Sequence, residues 1–230
     1  MYIKVVLYGK AVTNQVIDPE QGGQQDRRGG CVLYHGKEGS RIMIYIVRHG
    51  QTEMNHRKAL QGRSDAPLDE IGIAQARSTA EKLMNIRFDR VYTSPLIRAI
   101  QTAKIIAPYA EPVTEKRLIE TDYGPYEGCD LTQLPPEIHT FFSDFVHNPA
   151  PDGMEQLSAV VARVGSFLEE LRNAEGNILL SAHAISMKGM LEYLTPDSKG
   201  AYWSKYIGNC AVYAAQNRGG VIGVHTELFC

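Results

Sequence analysis

The hydrophobic pattern becomes regular at residue 42. Ile42-Met43-Ile44-Tyr45-Ile46-Val47 is an unbroken apolar run, as expected of a strand covered on both faces, and it stops abruptly at Arg48-His49-Gly50. Leu68 to Met84 repeats apolar residues at helical spacing, with Ile73, Ala76, Ala80 and Leu83 on one face. Phe88 to Thr93 reads as a second strand. Ser94-Pro95 then reads as an N-cap followed by proline at the first helical position, opening a helix that turns Leu96, Ala99, Ala103 and Ile106 inward. Leu118 to Gly128 lacks either period, and 131–147 looks helical but is interrupted by Pro135-Pro136. Leu157, Val160, Val164, Phe167 and Leu171 mark a long amphipathic helix. Asn177 to Ala182 is a third apolar strand ending at His183, and Ser186 to Leu194 is helical. CAVYAAQ and VIGVHTEL close the pattern as two strands around Asn217-Arg218-Gly219-Gly220. Strands alternating with helices predict an α/β three-layer sandwich: a mostly parallel sheet with helices on both faces.

Residues 1–41 do not share this regularity. A short strand-like piece, Tyr2 to Tyr8, gives way to QGGQQDRRGG, a composition with too little apolar surface to offset its ordering entropy. The segment is read as a flexible N-terminal extension, and 42–230 as the folded domain. Apolar residues make up 43% of the 230-residue chain and charged residues 22%, which suits one soluble globular domain. A net charge of −2 gives no reason to expect nucleic acid or an anionic membrane as partner. No apolar run approaches the ~18 residues of a membrane span, and Val5 to Leu7 is too short for a signal peptide. Cys31, Cys129, Cys210 and Cys230 form no CxxC pair; two disulfides stay open, but thiols in a reducing cytoplasm are the simpler reading.

The chemistry lies where strands end. One strand ends at Arg48-His49, one at Thr93-Ser94 with Arg98 a turn further on, and one at Ser181-Ala182-His183. Open α/β sheets bind ligands beyond the carboxyl ends of their strands. If these three strands are neighbours, two histidines and two arginines converge, which suits a phosphate dianion. A helix beginning at Ser94 would add backbone N–H groups. Singly, a strand-end histidine is more often structural and a first-turn arginine is more often solvated; the combination carries the reading. No HExxH occurs, and neither histidine has a carboxylate at ligand spacing, so no metal and no cofactor is expected.

Five blocks, in order, resemble the histidine phosphatase superfamily, which includes the phosphoglycerate mutases: Arg48 to Glu53 with Asn55; Gln61-Gly62-Arg63 with Asp65 and Pro67-Leu68; Ser94 to Ala99 with Gln101-Thr102-Ala103; Leu118-Ile119-Glu120 with Tyr123-Gly124 and Glu127-Gly128; and Ser181-Ala182-His183. The resemblance implies that His49 is the nucleophile and becomes phosphohistidine. It implies that Arg48, Arg98 and His183 hold the phosphoryl oxygens together with Asn55, Gln61 and Gly62. Glu120 would protonate the leaving alcohol and then activate water. A neutral imidazole has the lone pair this needs, and fixed cations stabilise the transferring phosphoryl group. The chain departs from the family where Ala184-Ile185 stands in place of Gly-Gly and Lys188 in place of an arginine, which bears on substrate preference.

The segment between Glu120 and His183 is short, like the small helical cap of the shorter phosphatases, and is assigned to about 129–152. Phe141, Phe142 and Phe145 would be its inner face, with a substrate wall as the other reading. The expected function is hydrolysis of a small phosphate monoester. A phosphoglycerate mutase and a non-catalytic phosphate-binding regulatory module are the alternatives, and a homodimer is left open.

Overall fold

The computed structural model describes residues 42–218 and 221–229. The extension 1–41, the strand expected at Tyr2 to Tyr8, and Gly219-Gly220 of the expected turn lie outside them. The elements run β1 (Ile42–Arg48), α1 (Glu53–His56), α2 (Glu70–Lys82), β2 (Arg90–Thr93), α3 (Ile97–Ile106), β3 (Val113–Thr114), α4 (Pro136–Ser143), α5 (Leu157–Glu170), β4 (Asn177–Ala182), α6 (Ala184–Leu194), β5 (Val212–Arg218) and β6 (Val221–Phe229), with short 3-10 turns between some of them.

The strands form one sheet in the order β3-β2-β4-β1-β5-β6. β3, β2, β4 and β1 are mutually parallel, and β5 joins β1 antiparallel. The alternation along β1 separates two cores. Ile44 and Ile46 pack with Ile178 and Leu180 against Val164, Phe167 and Leu168 of α5 and Met187 and Met190 of α6. Tyr45 and Val47 face the other way, towards Leu83 behind α2 and Ala103 and Ile106 of α3. Three layers follow directly, and β1 reads as continuously apolar because both faces are covered.

Several element ends differ from the sequence expectation. The helix expected from Leu68 begins at Glu70, where the Asp69 side chain caps it by accepting from Gly72 N at 2.7 Å. The strand expected from Phe88 begins at Arg90, since the Phe88 amide donates to the Tyr109 hydroxyl at 2.8 Å. Ser94 is not the N-cap of α3. That helix starts three residues later with Leu96 at the cap: its first amide, Ile97 N, donates to Asp65 Oδ1 at 2.6 Å, while the Ser94 hydroxyl accepts from Leu96 N at 3.3 Å and meets His183 Nε2 at 2.7 Å. The helical stretch expected over 131–147 contracts to α4. Asp144 Oδ1 accepts from Val146 N at 3.0 Å and His147 N at 3.1 Å, drawing those amides out of the helix. β5 runs on through Arg218, so half of the expected turn is strand.

Ile138 and Phe141 of α4 bury against Leu60, Tyr123, Met154, Ile185 and Trp203, with Phe142 and Phe145 packed on that cluster. The inner-face reading of the three phenylalanines therefore holds for Phe141, which is buried. Among the described residues, no helix is long and apolar enough to cross a membrane.

Candidate active site

The register of the sheet assembles the site. Thr93 pairs with Ser181 and Arg48 with Ala182, so Ser94, His183 and His49 are the next residues beyond three adjacent strands. β2, β4 and β1 are thus the neighbours that the sequence argument required.

Both histidine rings are buried and lie 5.1 Å apart, centre to centre. His49 Nδ1 lies 2.7 Å from the Gly50 carbonyl, which can only accept, so Nδ1 carries the proton and Nε2 keeps its lone pair. Burial first, then the charges of Arg98 and Arg48, holds the His49 pKa well below the usual histidine range. Burial and Arg98 do the same for His183. His183 Nδ1 receives an N–H from Arg98, so a neutral His183 has its proton on Nε2, 2.7 Å from Ser94 Oγ.

Arg98 is fully buried at the centre. Its Nε lies 3.2 Å from both His49 Nε2 and His183 Nδ1. Nη1 and Nη2 donate to the carbonyls of Ser64 and Gly62, each at 2.6 Å. The fork therefore clamps the 62–64 loop while the Nε edge faces the histidines. Burial pushes the guanidinium pKa down to about 10, with Glu120 nearby opposing the shift. Arg48 donates through Nη1 to Ile207 O at 2.5 Å, while its buried Nε has no partner.

Gly62 builds the same loop. Its amide, with those of Arg63 and Ser64, is held by the Glu127 carboxylate at 2.9–3.3 Å, and its carbonyl is held by Arg98. A Cβ here would meet Thr121 O at 2.5 Å, so only glycine fits. Asn55 and Gln61 form one polar cluster with Thr52. Asn55 Nδ2 donates to Gln61 Oε1 at 3.3 Å and the Thr52 hydroxyl donates to the same oxygen at 2.7 Å, while Gln61 Nε2 is buried without a partner.

Glu120 is buried at the start of α6. Oε1 accepts from Thr121 N at 2.9 Å and Ser186 N at 3.0 Å; Oε2 accepts only from Ile185 N, at 3.1 Å. The carboxylate thus caps the helix that follows His183, where unpaired amides and the helix dipole favour it. With a single N–H donor, Oε2 is the less engaged of the two oxygens. The neighbouring acids are committed elsewhere: Glu127 to the 62–64 amides, and Asp122 to Arg63 at 2.8 Å.

Lys188 is also buried in this region. Nζ donates to Trp203 O at 2.7 Å and lies 5.0 Å from the centre of the Phe145 ring. Burial pushes its pKa down to about 8, against the pull of Glu120.

Two contributors were not found by sequence reasoning. Asn209 donates to His49 O at 3.1 Å and Asn55 Oδ1 at 3.2 Å. Thr102, which stands in the third motif without a role of its own, accepts from Gly50 N at 3.1 Å and donates to Arg98 O at 2.8 Å. No motif marks Asn209, an amide in a loop before β5. Among the described residues no cluster of histidine, cysteine and acidic side chains is arranged to hold a metal, and Cys129 and Cys210 are free thiols.

The chain is similar in sequence and in fold to known phosphatases. Phosphoserine phosphatase 1 of Hydrogenobacter thermophilus is 32% identical over 170 residues, covering 71% of this chain and 81% of its own. A mutant phosphoserine phosphatase of Entamoeba histolytica, solved in complex with phosphoserine, superposes with a TM-score of 0.72 at 25% identity over 81% of this chain and 96% of that one. Mycobacterial glucosyl-3-phosphoglycerate phosphatase, solved with VO3, gives 0.71 at 25% identity, covering 81% of this chain and 98% of that one. Residues 44–225 match the histidine phosphatase superfamily, branch 1; with these relatives, the chain belongs to that superfamily and is a phosphatase.

Proposed function

We propose that this chain hydrolyses a phosphate monoester of a small alcohol carrying a carboxylate, through a phosphorylated His49. The observation that carries the chemistry is the locked His49 ring, with Nδ1–H on the Gly50 carbonyl and Nε2 beside the Arg98 Nε edge. His49 Nε2 attacks phosphorus and forms an N–P bond as the ester P–O bond breaks. Arg48 and Arg98 stabilise the transferring oxygens, with the spare N–H groups of Asn55 and Gln61, while neutral His183 accepts the Arg98 Nε–H and directs its own N–H at Ser94. Glu120 gives its proton to the departing alkoxide, then takes one from the water that attacks the phosphohistidine. Phosphate leaves, and His49 and protonated Glu120 are restored.

The finer substrate reading rests on Lys188. Helical side chains lean towards the helix N-terminus. At that end of α6 stands Glu120, the acid that serves the leaving alcohol. A buried ammonium there, over Phe145 of the cap segment, suits one anionic group on the alcohol. The relatives named for phosphoserine and for glucosyl-3-phosphoglycerate act on phosphates that carry a carboxylate.

The test measures kcat/KM for phosphoserine and for glycerol phosphate. The parent should prefer phosphoserine, the preference should weaken as pH rises through about 8 and Lys188 loses its proton, and Lys188→Gln should remove it. A parent that treats the two esters alike refutes the carboxylate reading. Supplying 3-phosphoglycerate with 2,3-bisphosphoglycerate and finding the isomeric phosphoglycerate, without released phosphate, would instead favour a mutase.

A further inference from the structure

An amide side chain has a donor end and an acceptor end, and what it offers a ligand depends on which way it is turned. Two backbone groups decide this for the Asn55 and Gln61 cluster. The Thr52 amide can only donate, and it meets Asn55 at 3.3 Å, so the atom there is Oδ1. The His49 carbonyl can only accept, and it meets Asn209 at 3.1 Å, so that atom is Nδ2. The same Nδ2 lies 3.2 Å from Asn55 Oδ1, so both anchors agree and both N–H groups of Asn209 are used. With its oxygen occupied twice, Asn55 turns Nδ2 towards Gln61 Oε1. The Thr52 hydroxyl accepts from Asn55 N and donates to that same Oε1. The far end of Gln61 is then Nε2, buried and without a partner.

We propose that Asn209 is a positioning residue that sets the direction of this amide chain, so that the groups left for phosphoryl oxygens are all N–H donors. Without Asn209, Asn55 Oδ1 keeps only a 3.3 Å contact from the Thr52 amide, long for a hydrogen bond, and Nδ2 only an equally long one to Gln61. A turned Asn55 would aim Oδ1 at Gln61 Oε1, turn that amide in its wake, and present oxygen to an anion. Asn209 ties the chain to the nucleophile's own carbonyl, which also accepts from Cys210 N at 3.3 Å, so the loop before β5 aligns the neutral donors with the attacking ring. The proposal rests on reading this pocket as the phosphoryl site.

The experiment compares Asn209→Asp with Asn209→Ala. Aspartate matches the shape of asparagine but brings an acceptor against two oxygens; alanine only removes the donor. kcat/KM for p-nitrophenyl phosphate should fall on the order of tenfold for Ala and on the order of a hundredfold for Asp, with orthovanadate inhibition weakening in the same order. In an Asn55→Ala background, either substitution should cost less than about twofold more, since the intermediary is gone. A role in filling space predicts the reverse order, with Asp the milder. Asp within about threefold of the parent, Asp milder than Ala, or losses that add fully to Asn55→Ala would each overturn the proposal. If the Asp variant does not fold, as judged by circular dichroism and Tm, the Ala cycle with Asn55→Ala decides. The parent is assayed first: no turnover and no phosphohistidine would refute the phosphatase reading, whereas an active parent indifferent to Asn209 refutes only this assignment.

Discussion

Replacing Glu120 with glutamine separates two duties of one carboxylate. Glu120 accepts three backbone N–H groups, two on Oε1 and one on Oε2. A glutamine can keep its oxygen on Thr121 and Ser186 but must then set an NH2 against the Ile185 amide, donor facing donor. The opposite orientation is worse, with two such clashes. One lost charge-assisted bond at a buried helix start costs about 2–3 kcal/mol. At roughly 2–4 °C per kcal/mol for a domain of this size, Tm should fall by roughly 5–10 °C. The chemical cost depends on the ester. An alkyl phosphate expels a strongly basic alkoxide, so phosphorylation of His49 should slow by about 10²–10⁴ without the proton. Nitrophenolate leaves unaided, so the same step with the aryl ester should change far less. Dephosphorylation still needs a base, so the aryl ester should give a burst and then a slow steady state. Quenched-flow measurement of phosphohistidine with both esters, alongside a thermal melt, tests both parts. Equal losses in the phosphorylation step would remove Glu120 from the acid role and return Asp122 or Glu127 to consideration despite their present partners. An unchanged Tm would refute its capping of α6.

His49→Ala should abolish turnover and acid-labile phosphoenzyme while leaving the fold intact; label retained on the variant would exclude His49 as nucleophile. Arg98→Lys keeps the charge but loses the fork that holds Gly62 O and Ser64 O, so kcat/KM should drop on the order of 10²–10³; a loss of only a few-fold would mean that charge alone matters. Because burial depresses the His49 pKa, its lone pair survives as pH falls, and single-turnover phosphorylation should hold its rate through pH 6.5 and fail well below it; a midpoint near 6.5 would contradict the buried, arginine-flanked ring. His49 and His183 are both neutral when folded, so the unfolded chain binds more protons below about pH 6.5, and stability, full above that value, should decline as pH falls further towards the depressed folded values, as urea titrations would register. Removing residues 1–41 should leave activity and Tm near the parent values, and a large drop in either would assign that segment a packing role.

The parts of the molecule legible in the sequence are those fixed by local pattern. β1 and β4 announce themselves because each is covered on both faces, and their ends expose Arg48, His49 and His183 to inspection. The parts that were not legible depend on partners distant in the chain. Ser94-Pro95 looks like a helix start, but Asp65, distant in the chain, meets the first helical amide, and the Ser94 hydroxyl faces His183. Arg98 was expected to turn its fork on a ligand, yet two carbonyls of the 62–64 loop occupy it. Asn209 carries no local signal, since its meaning lies wholly in the His49 carbonyl and the Asn55 oxygen.

The strand order carries a consequence for how the chain is made. Among the described residues β1 is the earliest strand of the sheet in sequence, yet both of its partners, β4 and β5, come near the end. As a nascent chain emerges, Ile42 to Val47 must wait, with both edges unpaired and both faces apolar, until nearly the whole domain has been synthesised. Such long-range pairing folds slowly and leaves a hydrophobic strand open to association. Chains stopped before β4 should therefore aggregate or occupy chaperones, and the candidate site, built from the ends of β1, β2 and β4, comes into being only as the sheet closes.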